Sequence, residues 1–147
     1  MSWIQVLVAS SNVERRATLT KILGECSLEP VFASNVEEVR TILVQSSVDL
    51  VFCEDNLPEG DFREVLRLAK ATRPEAQVVV SSLLGEWEEY LEAMQLGAFD
   101  FVAPPYRDTE ILSIVNSVCH GRGVTQKEGT PFHTQAKGPW RGDQTAA

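Results

Sequence analysis

The chain has 147 residues, 44% of them hydrophobic and 23% charged, which suits one ordinary globular domain with a tail. Thirteen Lys and Arg against 21 Asp and Glu give a net charge of -8. Binding to a phosphate backbone requires clustered cations, so we expect no nucleic-acid ligand for this segment. We also expect no membrane segment and no signal peptide, because no apolar run approaches about 18 residues and the first residues lack a basic leader.

The cysteines and histidines limit the chemistry further. Three widely spaced cysteines with no CxxC pair indicate a reducing, cytoplasmic location without a zinc site or a disulfide framework. Both histidines, His120 and His133, lie near the C-terminal end. A body without histidine excludes Ser-His and Cys-His nucleophile systems, and it excludes a histidine phosphotransfer domain.

Five short apolar segments along residues 1–118 alternate with five segments of helical periodicity. Each apolar segment is continuous, as in strands that are covered on both faces. Strands are predicted at 4–9, 31–33, 50–53, 78–80 and 99–103. Helices are predicted at about 12–25, 36–43, 62–73, 86–96 and 108–118. Ser11 or Asn12 is expected to cap the first helix, Asn35 the second, and Gly97 to end the fourth.

The composition changes after residue 118. Residues 119–147 hold five of the nine glycines and almost no aliphatic side chains. Such a segment cannot bury enough apolar surface to offset the entropy lost on ordering. The sequence therefore predicts a domain over 1–118 and a flexible C-terminal tail or linker over 119–147.

The strand–helix repeat predicts an α/β fold, namely a doubly wound parallel sheet with right-handed crossovers and helices on both faces. In such folds the functional crevice lies at the carboxyl ends of the strands. The loops after the first, third, fourth and fifth strands therefore hold the candidate site. They read SSN, EDNLPEG, SSLLG and PPY.

Two stretches carry a family resemblance. Residues 49–61 read DLVFCEDNLPEGD, and residues 92–106 read EAMQLGAFDFVAPPY. They resemble the patterns D-L-V-x-x-D-x-N-M-P-x-x-D and E-A-M-x-A-G-A-x-D-F-L-x-K-P-F of response-regulator receiver domains. The resemblance covers essentially all of residues 1–118. It implies a flavodoxin-like (βα)5 fold, with a doubly wound five-stranded parallel sheet and five helices.

The resemblance also implies a defined chemistry. In an active receiver domain an aspartate at the end of the third strand accepts a phosphoryl group. Two acidic residues after the first strand, together with that aspartate and a backbone carbonyl, hold Mg²⁺. A Ser or Thr after the fourth strand and a Lys after the fifth contact the phosphoryl oxygens. Phosphorylation then biases a surface that involves the fourth helix and the fifth strand.

Most of these positions are substituted in this chain. The positions of the acidic pair, the phosphoacceptor and the metal-binding carbonyl are Ser10, Ser11, Glu54 and Asn56, in that order. The positions of the hydroxyl, the switch aromatic and the lysine are Ser82, Phe101 and Pro104. Of the groups that carry the reaction, only the hydroxyl is intact. We therefore predict no catalytic residue, no metal site and no cofactor.

Two carboxylates need separate consideration. Successive side chains of a strand point to opposite faces, so Asp55, next to Glu54, is expected to point away from the crevice and to take no part in phosphoryl chemistry. Glu54 is the only carboxylate at a matching position. Since Mg²⁺ usually takes at least one or two carboxylates on a firm scaffold, a dedicated magnesium site is not expected.

Two interpretations of Glu54 stay open. In the first, its longer side chain reaches the place of a phosphoryl group and forms a hydrogen bond with Ser82, which would imitate part of the activated state. In the second, which we favour because no lysine is at hand to pair with it, Glu54 is a solvated polar residue at a loop. The Pro104–Pro105 bond is predicted to be cis, as is common at this position in the family.

The remaining candidates are a cysteine and one helix face. Cys53 is predicted to be a small core residue, since no nearby cation would lower the pKa of its thiol. The fourth helix carries an acidic face formed by Glu86, Glu88, Glu89 and Glu92. We expect this face to be solvated. Recognition of a partner is the alternative, and it is favoured if Trp87 and Tyr90 are exposed together.

The sequence thus predicts an atypical receiver domain, a pseudo-receiver, in bacterial two-component signalling. It is expected to be cytoplasmic, non-enzymatic and independent of phosphorylation. It would bind a protein partner or dimerise through the surface of the fourth helix, fifth strand and fifth helix. One form of this hypothesis makes it the N-terminal module of a transcriptional regulator. The first alternative is a residual Mg²⁺-dependent phosphoacceptor that takes phosphate from a sensor histidine kinase. The second is a small-ligand sensor that reuses the crevice.

Overall fold

A five-stranded parallel sheet organises the structure, a computed structural model that describes residues 4–123. The strands are β1 (Val6–Ala9), β2 (Val31–Ala33), β3 (Leu50–Glu54), β4 (Gln77–Ser81) and β5 (Asp100–Val102). Their order in the sheet is β2-β1-β3-β4-β5, so the direction of winding reverses after β2. The predicted doubly wound (βα)5 fold is confirmed.

Five helices connect and follow the strands. They are α1 (Val13–Gly24), α2 (Val36–Gln45), α3 (Phe62–Thr72), α4 (Trp87–Gln95) and α5 (Asp108–Gly123). Asn12 caps α1 by accepting a hydrogen bond of 2.9 Å from the backbone N–H of Arg15, and Asn35 caps α2 in the same way, at 2.8 Å from Glu38. Both caps lie where the sequence predicts them.

The core forms two apolar layers, one on each face of the sheet. Leu7 and Val51 belong to the layer under α2, α3 and α4, and their neighbours Val8 and Phe52 belong to the layer under α1 and α5. All four side chains are essentially inaccessible to solvent. Burial on both faces explains why the strands appear in the sequence as continuous apolar runs instead of alternating ones.

A short antiparallel ribbon, which the sequence analysis treats as a loop, follows β3. Its two arms are Asn56–Leu57 and Gly60–Asp61. A Cβ atom at Gly60 would collide with Cγ2 of Val36 on α2, so only glycine allows this approach of the ribbon to the helix. The ribbon therefore fixes the path of the chain immediately beyond the end of β3.

The C-terminal boundary is partly described. Helix α5 continues to Gly123, five residues beyond the predicted end of the domain at residue 118, and the rest of the predicted tail lies outside the described residues. The Pro104–Pro105 peptide bond is cis, as predicted. Among residues 4–123, each helix is too short or too polar to cross a membrane.

Candidate functional site

The carboxyl ends of the strands bring the predicted site positions to one edge of the sheet. Ser10 follows β1, Glu54 ends β3, Ser82 follows β4 and Pro104 follows β5. The side chains of this edge form two separate hydrogen-bonded groups. The first is centred on Glu54, and the second on Ser82.

The carboxylate of Glu54 is buried, and one of its two oxygens is paired. Only 6% of the residue is exposed to solvent. Its Oε2 accepts a hydrogen bond of 2.6 Å from the hydroxyl of Ser10 and one of 2.9 Å from Nη1 of Arg15. A buried carboxylate needs such partners, because taking an unpaired charge out of water is costly. We call Ser10, Arg15 and Glu54 the β3 cluster.

Local structure explains how Arg15 reaches Glu54. Arg15 lies in the first turn of α1, three residues after the Asn12 cap, and this turn starts directly beyond the carboxyl end of β1. The next residue, Arg16, donates to the carbonyl oxygen of Ser10 at 2.7 Å and to the hydroxyl of Ser34 at 2.6 Å. Both arginines therefore hold the start of α1 against the edge of the sheet.

The charge pair affects the titration of the guanidinium. The hydrogen bond to Glu54 raises the pKa of Arg15 above its ordinary value, against the opposing effect of partial burial. Arg15 is consequently a permanent cation at the end of β3. About a quarter of its side chain is exposed, compared with 8% for the side chain of Glu54.

The hydroxyl of Ser82 points toward α4 and Asp55. The residue is completely buried, and its Oγ donates to Oε1 of Glu89 at 2.7 Å and lies 3.3 Å from Oδ2 of Asp55. The same oxygen accepts a hydrogen bond of 3.2 Å from the backbone N–H of Gly85. Ser82 therefore connects β4, the loop before α4 and the first turns of α4.

Two carboxylates share this hydroxyl, and the environment penalises the charge of Glu89. Desolvation by burial raises the pKa of Glu89, and the negative charges of Asp55 and Glu86 raise it further. The hydrogen bond from Ser82 and the positive charge of Arg63 act in the opposite direction. Glu89 thus holds α4 in place at the cost of a partly buried negative charge.

A second polar contact holds α4 from the side of α3. Arg63 forms a bidentate pair with Glu92, with distances of 2.6 Å from Nε and 2.7 Å from Nη2, and its Nη1 lies 2.7 Å from Oδ2 of Asp61. The hydrogen bonds that Arg63 donates to Glu92 and Asp61 raise the pKa of Arg63, and they lower the pKa of Glu92. The pair joins the ribbon, α3 and α4.

Aromatic side chains link α4 to β5. Phe101 is completely buried, and the ring of Tyr90 meets its face edge-on at a centroid distance of 5.7 Å. Trp87 stacks on Tyr90 at 5.3 Å. Because phenylalanine has no hydroxyl that favours contact with water, the buried position is the one its chemistry prefers.

Comparisons with known proteins identify the fold family. The family model for the response regulator receiver domain matches residues 6–116. The chain belongs to this family. The five-stranded parallel sheet and the five helices match the fold of receiver domains.

Two curated relatives place the receiver domain in longer proteins. The response regulator protein PilR of Pseudomonas aeruginosa is 28% identical over 105 residues, which are 71% of this chain and 24% of PilR. A protein-glutamate methylesterase/protein-glutamine glutaminase of Archaeoglobus fulgidus is 34% identical over 104 residues, which are 69% of this chain and 30% of that protein. The chain thus matches less than a third of the length of these relatives.

Solved structures show the same fold. A response regulator from Thermotoga maritima has a TM-score of 0.71 at 22% identity, covering 79% of this chain and 97% of that one. The beryllofluoride-activated NtrC4 receiver domain dimer has a TM-score of 0.75 at 20% identity, covering 80% of this chain and 97% of that one.

The structure corrects both interpretations of Glu54. The residue is not solvated, because Ser10 and Arg15 enclose it. It also forms no hydrogen bond with Ser82, whose hydroxyl is taken by Glu89 and Asp55. The family resemblance places a cation at this site only at the lysine position after β5, which is Pro104 here. An arginine in the first turn of the helix after β1 was the overlooked signal.

The expected orientation of Asp55 is wrong as well. Its Oδ2 lies 3.3 Å from the hydroxyl of Ser82, so the carboxylate points toward the crevice side of β4. The strand ends at Glu54, and the backbone of Asp55 bonds to Ser81 and Phe62, so the alternation of a regular strand no longer applies.

The other predicted residues contribute no carboxylate or ammonium group. Ser11 and Asn56 are exposed, and Pro104 is half-buried. Cys53 is completely buried, and desolvation raises the pKa of its thiol strongly, which confirms its assignment to the core. Sequence reasoning also missed Arg63 and Tyr106. The Tyr106 hydroxyl bonds that of Ser81 at 2.7 Å.

The residues present do not fit Mg²⁺ at the position that the family uses. Glu54 is the one carboxylate among the family's metal-binding positions, and its Oε2 already accepts hydrogen bonds from Ser10 and Arg15. The neighbouring Asp55 carboxylate lies 3.3 Å from the Ser82 hydroxyl. Mg²⁺ demands near-octahedral oxygen ligands, which two serines and an engaged glutamate do not supply. Within residues 4–123, no group of three or more His, Cys, Asp or Glu side chains is placed to hold a metal.

Replacement of Arg15 by methionine tests the β3 cluster. The change leaves the Glu54 charge buried with Ser10 as its hydrogen-bond donor, so we expect the unfolding free energy to fall by about 1–3 kcal/mol in urea denaturation. The double variant Arg15→Met, Glu54→Gln should recover part of this loss, because a neutral amide needs no counter-charge.

The matched control for this test is Arg40→Met. Arg40 and Glu37 form an exposed pair at 3.5 Å, and its loss should cost less than about 0.5 kcal/mol. If Arg15→Met destabilises the protein no more than Arg40→Met does, the buried pair does not stabilise the edge of the sheet.

Replacement of Glu89 by glutamine tests whether burial makes the charge of this carboxylate unfavourable. A carboxyl group whose pKa is raised by folding stabilises the protein at acidic pH, and this contribution is lost as pH rises through the folded-state pKa. The glutamine amide does not ionise, so the variant does not lose stability in this way as pH rises. We therefore expect its unfolding free energy, relative to the natural protein, to increase from pH 4 to pH 7.

Urea denaturation of both proteins at each pH gives this difference, and the groups that they share cancel. A difference that stays constant or decreases with rising pH would show that burial does not penalise the Glu89 charge.

Proposed function

We propose that this receiver domain works without phosphorylation, as a protein-interaction module of bacterial two-component signalling. The observation that carries the proposal is the β3 cluster. The side chain at the phosphoacceptor position is a buried glutamate, and one carboxylate oxygen is bound by Ser10 and Arg15. Protein donors thus occupy one oxygen of this carboxylate, in a place where the family binds a metal ion.

The charges around the crevice support the proposal. In the family, a divalent cation neutralises the charge that builds up during phosphoryl transfer. Here the guanidinium of Arg15 neutralises the Glu54 carboxylate, and Pro104 offers neither charge nor donor at the lysine position. The neutralisation is therefore part of the folded protein and needs no ion from solution.

The arrangement of α4 supports the second part of the proposal, a surface that is set by folding alone. The Ser82 hydroxyl, which would contact a phosphoryl oxygen in an active domain, bonds Glu89 on α4. The Arg63–Glu92 pair and the buried Phe101 ring hold the same helix. None of these contacts requires phosphate. The surface of α4, β5 and α5 would therefore have the same arrangement whether or not a phosphodonor is present.

The relatives suggest the setting of this module. The DNA-binding transcriptional regulator NtrC of Rhizobium meliloti is 24% identical over 131 residues, which are 26% of that protein. A receiver domain that makes up about a quarter of such a protein fits the role of an N-terminal module in a cytoplasmic regulator. The partner in that role is a second copy or another protein.

A residual phosphoacceptor is the second candidate function. It is favoured by the position of Asp55, whose Oδ2 lies 3.3 Å from the Ser82 hydroxyl. In this case Asp55 would accept the phosphoryl group from a sensor histidine kinase, with Mg²⁺ as the cofactor. The two candidates differ in one measurable property, the covalent addition of phosphate.

Incubation of the chain with phosphoramidate and Mg²⁺, followed by intact-mass measurement, distinguishes the candidates. We expect no mass increase, because a glutamate paired with Arg15 replaces the family's acceptor aspartate and the metal ligands are missing. The positive control is a variant with the family's groups restored: Ser10→Asp, Ser11→Asp, Arg15→Met, Glu54→Asp and Pro104→Lys. It should gain one phosphate.

Phosphate on the natural chain would contradict the proposal. Its removal by Asp55→Asn but not by Glu54→Gln would then establish the second candidate.

A further inference from the structure

The loop before α4 and the outer face of α4 expose an apolar ridge. Leu83, Leu84, Trp87 and Leu91 are 60%, 76%, 49% and 41% exposed. We call these four residues the Trp87 ridge. Trp87 and Leu91 are four positions apart on the helix, so they lie on one face, and the two leucines of the loop precede them. Contiguous apolar patches of a few hundred Å² on a single domain are often functional.

The ridge is preorganised for binding. The indole of Trp87 stacks on Tyr90, which packs edge-on against the buried Phe101. Glu89 and Glu92, on the same helix, are fixed by Ser82 and Arg63. Because these side chains are already held in place, docking of a partner on Trp87 would cost this chain little side-chain entropy.

The charged residues next to Trp87 along the chain are acidic. The sequence contains no Lys or Arg between Arg73 and Arg107, a stretch that includes the loop, α4 and β5. Glu86 and Glu88 flank Trp87 and are exposed, and neither forms an ion pair within residues 4–123. A partner that covers the ridge must accept these two carboxylates at its rim.

We propose that the Trp87 ridge binds a cationic amphipathic helix of another protein. This inference rests on the proposed function and names the chemistry of the partner. Leucine-like side chains of the helix would cover the ridge, and its lysine or arginine side chains would pair with Glu86 and Glu88. The site would thus recognise apolar shape and positive charge together.

A second copy of this chain is the less suitable occupant. In a two-fold dimer the same patch meets itself, so Glu86 and Glu88 of each copy would approach those of the other. A standard interface also covers about 800 Å² on each partner, more than four partly exposed side chains offer. The area and the charge both favour a single helix.

A synthetic 18-residue helix with leucines on one face and lysines on the other is the probe. Its dansyl-labelled form is titrated with the chain, and binding is read as fluorescence anisotropy. We expect binding of the lysine peptide and none of a matched peptide with glutamate in place of lysine. The variants Trp87→Ala and Glu86→Lys with Glu88→Lys should each weaken binding about tenfold or more.

Two control variants carry the same kinds of change elsewhere. Val44→Ser alters an exposed apolar residue on α2, and Glu29→Lys reverses an exposed charge before β2. Both should leave binding unchanged. Equal effects of control and ridge variants, or no binding of the lysine peptide, would overturn the proposal.

Analytical ultracentrifugation of the chain alone measures its oligomeric state and so tests whether a second copy covers the ridge. A dimer that dissociates on Leu84→Ser would assign the ridge to a second copy and would also overturn the proposal. The binding assay contains no phosphodonor and no Mg²⁺. Its outcome is therefore independent of whether the chain accepts phosphate, and failure of one proposal is distinguishable from failure of the other.

Discussion

The pairing of one buried carboxylate holds together the carboxyl edge of the sheet in this receiver domain. Glu54 ends the central strand β3 with only 6% of its surface exposed, in a place where an unpaired charge would be strongly unfavourable. Ser10 and Arg15 satisfy it from β1 and from the first turn of α1. The pairing joins three elements, and it places a cation and a hydroxyl of the protein on one oxygen of this carboxylate. We propose that the pairing that stabilises this edge of the sheet also makes the domain independent of phosphorylation.

The second hydrogen-bonded group relates the crevice to the outer surface. Ser82 joins the end of β4 to α4 through Glu89, and Arg63 joins α3 to α4 through Glu92. Neither link requires an added ion, and the Glu89 link has an energetic cost, since burial raises the pKa of that carboxyl group. We propose that these contacts set the position of α4, and with it the Trp87 ridge, in the protein as folded.

The fold was predictable because burial dictates its pattern. Strands covered on both faces are continuous apolar runs, and Asn12 and Asn35 mark helix starts by local hydrogen bonding that depends on few neighbours. The site was only partly predictable. Residue types showed which of the family's groups are missing, but long side chains such as Arg15 find partners 39 residues away in sequence. The predicted orientation of Asp55 was wrong because side chains alternate between the two faces only within a strand, and β3 ends one residue earlier, at Glu54.

The most direct test of the central claim is a crystal structure of the chain grown with Mg²⁺ and beryllofluoride, an analogue of the phosphoryl group. Our account predicts that Nη1 of Arg15 stays within hydrogen-bond distance of Oε2 of Glu54, with no ordered ion at the end of β3. An ordered metal ion with a fluoride adduct on the carboxylate of Glu54 or Asp55 would contradict it, because the internal pair would then yield to the ligands that it is inferred to exclude.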